Sequence, residues 1–386
     1  MNEWKKVKLK EVLKEINERN KDEKVKKVLS VTNSKGFVNQ EEYFEGTVHS
    51  ANISNYKIVR KNQFAFNPSR VNVGSIDILK NYEEGALSPM YVVFEVDTTK
   101  LLPEYFKYYF QTNRFYENVK NNTQGSVRNS LSFKALADFD YLLPSIEEQE
   151  KIVKILKNID SIIKKYANLL EEKDKFIKSQ FLEMFGNPFE NEKNWAVQKM
   201  GECCSFKSGN SLPTEVENEG GEILYIKVAD MNLNENSKYI NNSTHKVSKD
   251  TAKNGIFPIG TTIFPKRGGA IGTNKKRLII NEICADLNVI GVIPGEKINP
   301  EYLYTYFIML DLLDIANGST ILQINNKDLD PLLLPIPPME LQNKFEKIVK
   351  QIDKQKNLLE QQKQNYENLK KGLMQKLLTG KVRVKI

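Results

Sequence analysis

Two long stretches of the chain carry apolar residues spaced alternately three and four positions apart. They run through residues 152–183 and 345–373, and each sustains about five heptads, or roughly 50 Å of helix. The pattern predicts two long helices, 146–186 and 339–378, that bury their apolar stripes against each other. The predicted interface residues are Ile152, Ile155, Ile159, Ile162, Tyr166, Leu169, Phe176, Phe345, Ile348, Ile352, Leu359, Tyr366, Leu369 and Leu373.

The segments before each helix have a different pattern. Short β-like runs such as "YVVFEV" and "VIGVIP" alternate with turns rich in Asn, Gly and Ser, and one aromatic amphipathic helix follows each Pro-Glu-Tyr. Residues 1–145 and 187–338 are therefore predicted to be two mixed α/β domains, and the whole chain is predicted to be α+β.

The two halves of the chain are divergent copies of each other. The phrase "LPSIEEQEKIVKILKNID" ends at Asp160 and "LPIPPMELQNKFEKIVKQID" ends at Asp353, 193 residues later. At the same offset "GSVRNSLSFKAL" aligns with "GSTILQINNKDL", and at an offset of 197 "LPEYFKYYF" aligns with "NPEYLYTYF". At an offset of 191 Trp4 aligns with Trp195. A period this long indicates a duplicated domain-plus-helix unit rather than a solenoid.

Connectivity predicts how the duplicated units are arranged. If the two stripes bury each other, the second helix runs back beside the first as an antiparallel coiled coil, with a domain at each end and an approximate twofold axis. The tail 379–386 then returns to the first domain, where Val382, Val384 and Ile386 are predicted to add a strand. In the alternative arrangement each helix packs only on its own domain.

The composition and net charge indicate where the protein acts and what kind of partner it binds. The 386 residues carry a net charge of +8, and no apolar run is long enough to span a bilayer. The N-terminus lacks the apolar core of a signal peptide. Three cysteines and two histidines show no spacing typical of metal ligands, so no metal site is expected. We expect a cytoplasmic protein that makes no membrane contact, and the basic charge favours a polyanionic partner.

Motifs of catalysis are missing from the sequence. No Gly-x-x-x-x-Gly-Lys-Ser/Thr phosphate loop is present, and "IPPME" places Met339 where an adenine methyltransferase has an aromatic residue. The two histidines do not repeat under the duplication, which disfavours a histidine acid–base site in each domain. We therefore expect the chain not to be an enzyme and to have no catalytic residues.

The chain resembles the specificity subunit of type I restriction-modification systems. The resemblance lies in "SVTNSKGFVNQEEYF", "FAFNPSRVNVGSI" and "ALSPMYVVFEV" of the first domain, in both Leu-Pro…Gln helix starts and in the terminal "LMQKLLTGKVRV". It covers essentially the whole chain. One departure is Leu341, which stands where the first copy has Glu148.

The resemblance implies a division of labour. Target recognition domains at 1–145 and 187–338 would each read one half of a bipartite double-stranded DNA target, and the helices 146–186 and 339–378 would set the spacing and dock two modification subunits. Restriction subunits would join through the complex. This chain would bind no cofactor, and S-adenosylmethionine, ATP and Mg would belong to the partner subunits.

Candidate DNA contacts are basic and amide side chains in Gly-rich turns, because phosphates attract cations and base edges accept bidentate Arg, Lys, Asn or Gln. In the first domain these are Asn67, Arg70, Gln124, Arg128 and Asn129. In the second, "PKRGGAIGTNKKR" supplies Lys266, Arg267, Lys275, Lys276 and Arg277 within an otherwise acidic domain.

Two other functions remain open from the sequence. The chain is alternatively a self-contained DNA methyltransferase with an unusual site, or a structural spacer that holds two protein partners without touching DNA. In the alternative interpretation of the basic clusters, the charged side chains of the turns are simply solvated and bind no partner.

Overall fold

The computed structural model describes residues 4–43, 50–123, 130–217, 220–253, 255–318 and 321–384. The chain forms two compact units. The first comprises 1–167 together with 361–386, and the second comprises 168–360. Each long helix therefore begins in one unit and ends in the other.

The first unit is built on a four-stranded antiparallel sheet of order β2-β9-β6-β7, with the antiparallel pairs β1-β10, β3-β4 and β5-β8 around it. Its strands, in chain order β1 to β10, are Lys5–Lys8, Leu13–Ile16, Leu29–Thr32, Gly36–Asn39, Lys57–Arg60, Phe64–Phe66, Ile76–Ile78, Glu84–Leu87, Val92–Val96 and Asp140–Leu143. Its helices, α1 to α4, are Gln40–Tyr43, Pro103–Tyr109, Asn113–Thr123 and Phe133–Ala137, followed by the long helix α5, Ile146–Phe185.

The second unit repeats this plan. Its four-stranded antiparallel sheet has the order β12-β18-β15-β16, and the pair β11-β19 corresponds to β1-β10. A third sheet, β14-β13-β17, contains a parallel pair, β13 with β17. The strands β11 to β19 are Val197–Lys199, Cys204–Ser208, Ile223–Ile226, His245–Val247, Thr262–Pro265, Arg277–Leu278, Ile283–Ala285, Val289–Pro294 and Leu333–Pro335. The helices α6 to α10 are Met200–Cys203, Lys249–Ala252, Pro300–Met309, Asn326–Leu329 and Met339–Leu377.

Aromatic side chains fill the core of each unit. In the first, Phe64 stacks on Phe94 at 5.2 Å between ring centroids, and Phe106 of the Pro-Glu-Tyr helix packs edge-on against Phe64 at 5.8 Å. In the second, Tyr302 of the equivalent helix stacks on Phe181 at 5.4 Å. Both Pro-Glu-Tyr helices thus bury aromatic rings between sheet and long helix, where such rings contribute large apolar area.

A buried glutamine joins each domain to the start of its helix and accounts for the repeated Gln. Gln149 accepts a hydrogen bond from the backbone N–H of Leu102 at 2.8 Å and donates to the carbonyls of Lys100 and Pro144. Gln342 makes the same three bonds to Asn299, Lys297 and Pro337. Both glutamines are fully buried. An amide is required there because it supplies two donors and an acceptor together.

The two long helices run antiparallel within each unit, as predicted. In the first unit Lys370 of α10 forms an ion pair with Asp160 of α5 at 2.7 Å, and Tyr366 lies 5.8 Å from Tyr166 between ring centroids. In the second unit Lys356 contacts Asp174 at 2.6 Å, and Phe345 lies 5.6 Å from Phe181. Positions rise along α5 as they fall along α10. The mixed α+β class and the antiparallel coiled coil are confirmed.

The predicted interface had the wrong phase at three positions. Leu169, Phe176 and Leu369 are 41%, 48% and 48% exposed. The covered side of α5 instead passes through Leu170 and Ile177, one residue later, because a heptad stripe includes only two of every seven positions and apolar neighbours obscure which two. The remaining predicted residues are buried or half-buried: Ile152, Ile155, Ile159, Ile162, Tyr166, Phe345, Ile348, Ile352, Leu359, Tyr366 and Leu373.

Three lysines also lie along the covered side of α10. Lys356, Lys363 and Lys370 are each half-buried, with side chains 16%, 34% and 20% exposed. They recur every seven residues among Ile352, Leu359 and Tyr366. The ammonium groups of Lys356 and Lys370 form ion pairs with carboxylates of α5, so the contact between the helices includes ion pairs as well as apolar side chains.

The C-terminal tail returns to the first domain, as predicted, but by a different contact. Arg383 donates to the buried Glu148 carboxylate from Nε at 2.5 Å and from Nη2 at 2.9 Å, and its guanidinium lies 5.2 Å from the Trp4 ring. Trp4 Nε1 donates to the same carboxylate at 2.9 Å. Residues 381–384 form no strand, which corrects the prediction for Val382 and Val384, and Ile386 lies outside the described residues.

Candidate nucleic-acid interface

Two turns distant in sequence meet in each unit. In the first unit the backbone N–H of Leu131 donates to the carbonyl of Pro68 at 3.0 Å, which joins the exit of the "TQGSVRNS" segment to the "NPSR" turn. In the second unit the backbone N–H of Ile324 donates to the carbonyl of Lys266 at 2.9 Å, and the backbone N–H of Gly268 donates to the carbonyl of Leu322 at 2.8 Å. The predicted basic turns of both domains therefore occupy equivalent places in the fold, each following a central strand of the main sheet.

In the first unit the "NPSR" turn contains a buried asparagine, Asn67, and an exposed arginine, Arg70. Asn67 is 7% exposed, and its Oδ1 accepts from the backbone N–H of Ser69 at 3.1 Å. Arg70 is exposed, and its backbone N–H donates to the Asn67 carbonyl. Asn67 thus shapes the turn and Arg70 presents its guanidinium to solvent. Gln124, Arg128 and Asn129 lie outside the described residues.

In the second unit Lys266 and Arg267 occupy the corresponding turn. The Lys266 ammonium is half-buried and donates to Ser208 Oγ at 2.9 Å. Arg267 is exposed, and its backbone forms a bridge with Gln323. Under the 197-residue offset Arg267 is the counterpart of Arg70, so each unit presents one exposed arginine from the same turn.

The second half of the basic cluster has internal partners. Lys276 is 2% exposed, and its ammonium donates to the Leu310 carbonyl at 2.8 Å and contacts Asn274 Oδ1. Burial lowers the pKa of Lys276 to about 8. Arg277 donates to the carbonyls of Lys276 and Met231 at 2.7 and 2.6 Å.

These contacts revise the prediction for the cluster. A cation whose donors are used inside the loop has few left for phosphate or base, so Lys276 and Arg277 shape the loop rather than offer a free DNA contact. Lys275 is half-buried and contacts Asn232 Oδ1. Sequence alone misses this because a burial pattern cannot be read from a run of adjacent cations in a turn.

The structure adds Gln323 to the candidates. It is half-buried beside Arg267, and its backbone pairs with Asn317 through hydrogen bonds of 2.7 and 2.8 Å. Asn317 is the 193-offset counterpart of Gln124, so the repeat contained a signal for this segment. The Asn317 amide donates to Asp328 Oδ1 at 2.7 Å, so the Asn317 side chain stabilises the turn rather than projecting toward a partner.

Two further searches cover the described residues only. Among them no group of three His, Cys, Asp or Glu side chains is arranged to hold a metal ion. None of their helices is both long enough and apolar enough to cross a bilayer.

Known proteins match the chain over most of its length. A family model described as the type I restriction modification DNA specificity domain matches residues 1–172 and 192–367. The type I restriction enzyme MjaIX specificity subunit of Methanocaldococcus jannaschii is 25% identical over 314 residues, which cover 74% of this chain and 70% of that one. The putative MjaX specificity subunit of the same organism is 25% identical over 420 residues, covering 99% and 94%.

A solved structure has the same fold. It comes from work on complex assembly and conformational transition of the type I R-M system, and it matches with a TM-score of 0.61 at 15% identity over 98% of each chain. At that identity the likeness concerns the fold alone. The family model covers both copies of the repeat, and the chain therefore belongs to the type I restriction-modification DNA specificity family.

Proposed function

We propose that this chain is the DNA-recognition subunit of a type I restriction-modification complex, in which each unit reads one half of a bipartite target. The observation that carries this proposal is the repeated turn with an exposed arginine, Arg70 in the first unit and Arg267 in the second. Arginine is the side chain best suited to bidentate contact with guanine O6 and N7. Two equivalent but diverged turns favour two different half-sites.

The helices are proposed to set the distance between half-sites and to dock two modification subunits. Supporting this, exposed apolar side chains lie along the helical segments of the second unit, with Leu169, Phe176 and Leu358 at 41%, 48% and 62% exposure. Large apolar groups on a solvent-facing helix side are typical of protein contact surfaces. Restriction subunits would join the same complex.

The chain is proposed to be non-catalytic and to act in the cytoplasm. S-adenosylmethionine, ATP and Mg would then be bound by the partner subunits, with the modification subunits methylating adenine. The missing phosphate loop and the missing aromatic residue at Met339 support this division. Binding of S-adenosylmethionine to the isolated chain, or methylation by it, would instead favour the self-contained methyltransferase.

The test is methylome sequencing of a host that carries the complete system. Arg70→Ala is expected to relax or weaken recognition in one half of the target by about 1–3 kcal/mol, and Arg267→Ala in the other half. Lys24→Ala and Lys249→Ala remove exposed lysines outside both turns and serve as controls. If both arginine variants altered the same half, the two-unit assignment would be wrong. If a DNA mobility shift were absent with all subunits present, a spacer function would be favoured.

A further inference from the structure

A hairpin turn in the first unit presents polar side chains next to Arg70. The turn joins β3 to β4 through Asn33, Ser34 and Lys35, which are all exposed. Its shape is set by its own residues, because Thr32 Oγ1 accepts from the backbone N–H of Lys35 at 3.0 Å and donates to the Gly36 carbonyl at 3.2 Å. The three side chains therefore project from a defined turn.

The hairpin is fastened to the loop that carries Arg70. Ser75 Oγ, at the end of that loop, donates to the Val31 carbonyl at 2.5 Å. Gly36 has φ +62°, and a Cβ there would lie 1.9 Å from Asp77 Oδ2, so only glycine allows the turn to approach this closely. A Cβ on Gly74 would lie 3.7 Å from that of Asn33. The two loops form one surface.

The cavities beside this surface show which side chains share it. One of about 240 Å³ is lined by Asn33, Arg70 and Val73, and a neighbouring one of about 400 Å³ is lined by Asn33, Lys35 and Val73. Val73 is 54% exposed, although it sits among polar neighbours. Among the described residues, neither the Asn33 amide nor the Arg70 guanidinium has a hydrogen-bond partner, so their donors are available.

The chemistry of this surface matches the major-groove edges of base pairs. An amide pairs with adenine N6 and N7, a guanidinium with guanine, and an exposed aliphatic group with the thymine methyl. Among the described residues that line the two cavities, the carboxylate is Asp77, which is 17% exposed and forms an ion pair with Lys107 at 2.8 Å, so its charge is compensated.

We propose that Asn33 and Val73 are specificity-determining residues which read bases beside the one read by Arg70, with Lys35 supporting them by contact to phosphate. This inference rests on the proposed function, since it assigns additional readers to the half-site of the first unit. In the second unit the position equivalent to Val73 under the 197-residue offset is Ala270, whose side chain is a single methyl group.

Methylome sequencing of hosts carrying the complete system with Asn33→Ala or Val73→Ala tests the assignment. Each variant is expected to relax one position, by roughly tenfold in preference, within the half-site that Arg70→Ala alters. Lys35→Ala is expected to lower methylation at all sites without changing the motif. Asn55→Ala removes an exposed amide from another turn of the same unit and is expected to leave the motif unchanged.

Three results would overturn it: an unchanged motif with both variants, a change in the other half-site, or a uniform loss of methylation with an unchanged motif. If Arg70→Ala alters its half-site and Asn33→Ala does not, this assignment fails while the proposed function stands. If the unmutated system yields no bipartite motif, the proposed function itself fails. Thermal unfolding of each variant checks that the fold is kept, and Asn33→Ser provides a second substitution that suits a turn.

Discussion

In the first unit Glu104 accepts a hydrogen bond from Lys80 at the protein surface, whereas the equivalent Glu301 of the second unit lies buried among Lys238, Tyr239 and Asp353. Around both glutamates the backbone is the same, since each follows the proline that opens the aromatic helix. The duplicated fold thus tolerates large changes in the electrostatics of one position.

What the copies share is the attachment of domain to helix. Gln149 and Gln342 make the same three hydrogen bonds with equal burial. The turns after the central strands share an exposed arginine, Arg70 or Arg267, but the residues that follow it differ. On the proposed function, the shared attachment would position the DNA-contacting surface of each unit, and the residues that differ between the turns would determine which bases it contacts.

The largest expected effect comes from shortening the shared part alone. Deleting residues 167–173 together with 357–363 removes one heptad from each helix and keeps the facing stripes in register. Seven residues at about 1.5 Å shorten the pair by about 10 Å, or roughly three base pairs of DNA. Methylome sequencing is expected to show unchanged half-site bases with a shorter spacer between them.

The control is deletion of 167–173 alone, which moves the apolar stripe of α5 out of register with that of α10. It is expected to abolish methylation by the complete system. An active double deletion that kept its original spacer would show that the helices do not set the distance. Altered half-site bases would show that the helices contribute to reading.

A smaller effect is expected from the glutamines. Gln149→Ala and Gln342→Ala each leave buried backbone groups without partners, which is expected to cost about 2–4 kcal/mol of unfolding free energy in the unit concerned. Each unit contains one tryptophan, Trp4 or Trp195, so urea unfolding followed in Trp195→Phe or Trp4→Phe backgrounds reports the units separately. The exposed Gln362→Ala is the matched control. Costs that differ strongly between the units would contradict an equivalent attachment.

Much of this architecture was predictable because it depends on repeated and periodic residues. The Leu-Pro…Gln phrase marked both attachments, and heptad spacing marked both helices. Which side of α5 faces α10 was harder to predict, because Leu169 and Leu170 are adjacent and equally apolar, and only packing against α10 distinguishes them. The basic cluster was harder still. Lys276 follows Lys275 in sequence, yet it is buried because long-range contact with Leu310 draws its ammonium inward. No local pattern encodes such contacts.

The tail contact of Arg383 with Glu148 and Trp4 lies within the first unit and is expected to stabilise that unit. Burial raises the pKa of Glu148, but hydrogen bonds from Arg383 and Trp4 outweigh burial and leave the pKa below its ordinary value. The stabilisation is therefore present above an ordinary glutamate pKa of about 4.3 and is lost as pH falls through the lowered value.

Arg383→Ala is thus expected to lower the midpoint of the unfolding transition reported by Trp4 at neutral pH and to have little effect at acidic pH. Leu341 replaces Glu148 in the second copy, so the transition reported by Trp195 should not change. Lys381→Ala removes an exposed cation from the same tail and is the control. An equal loss at acidic and neutral pH would show that the carboxylate pair is not the source of the stabilisation.

The smallest expected effect returns to Glu104 and Glu301, whose pKa values shift in opposite directions. Burial raises the pKa of Glu104, but the hydrogen bond from Lys80, the backbone N–H of Glu104 and the charges of Lys80 and Lys157 together outweigh burial, and the net shift is downward. Burial dominates at Glu301 and raises its pKa despite Lys238. Glu104 therefore stabilises its unit above its ordinary pKa and loses that contribution in acid. Glu301 favours its unit in acid and loses that contribution as pH rises through the raised value. In pH-dependent thermal unfolding, Glu104→Gln should weaken the acid sensitivity of the transition reported by Trp4, and Glu301→Gln should flatten the opposite slope of the transition reported by Trp195. Slopes of the same sign would mean that the two copies hold this carboxylate in equivalent environments.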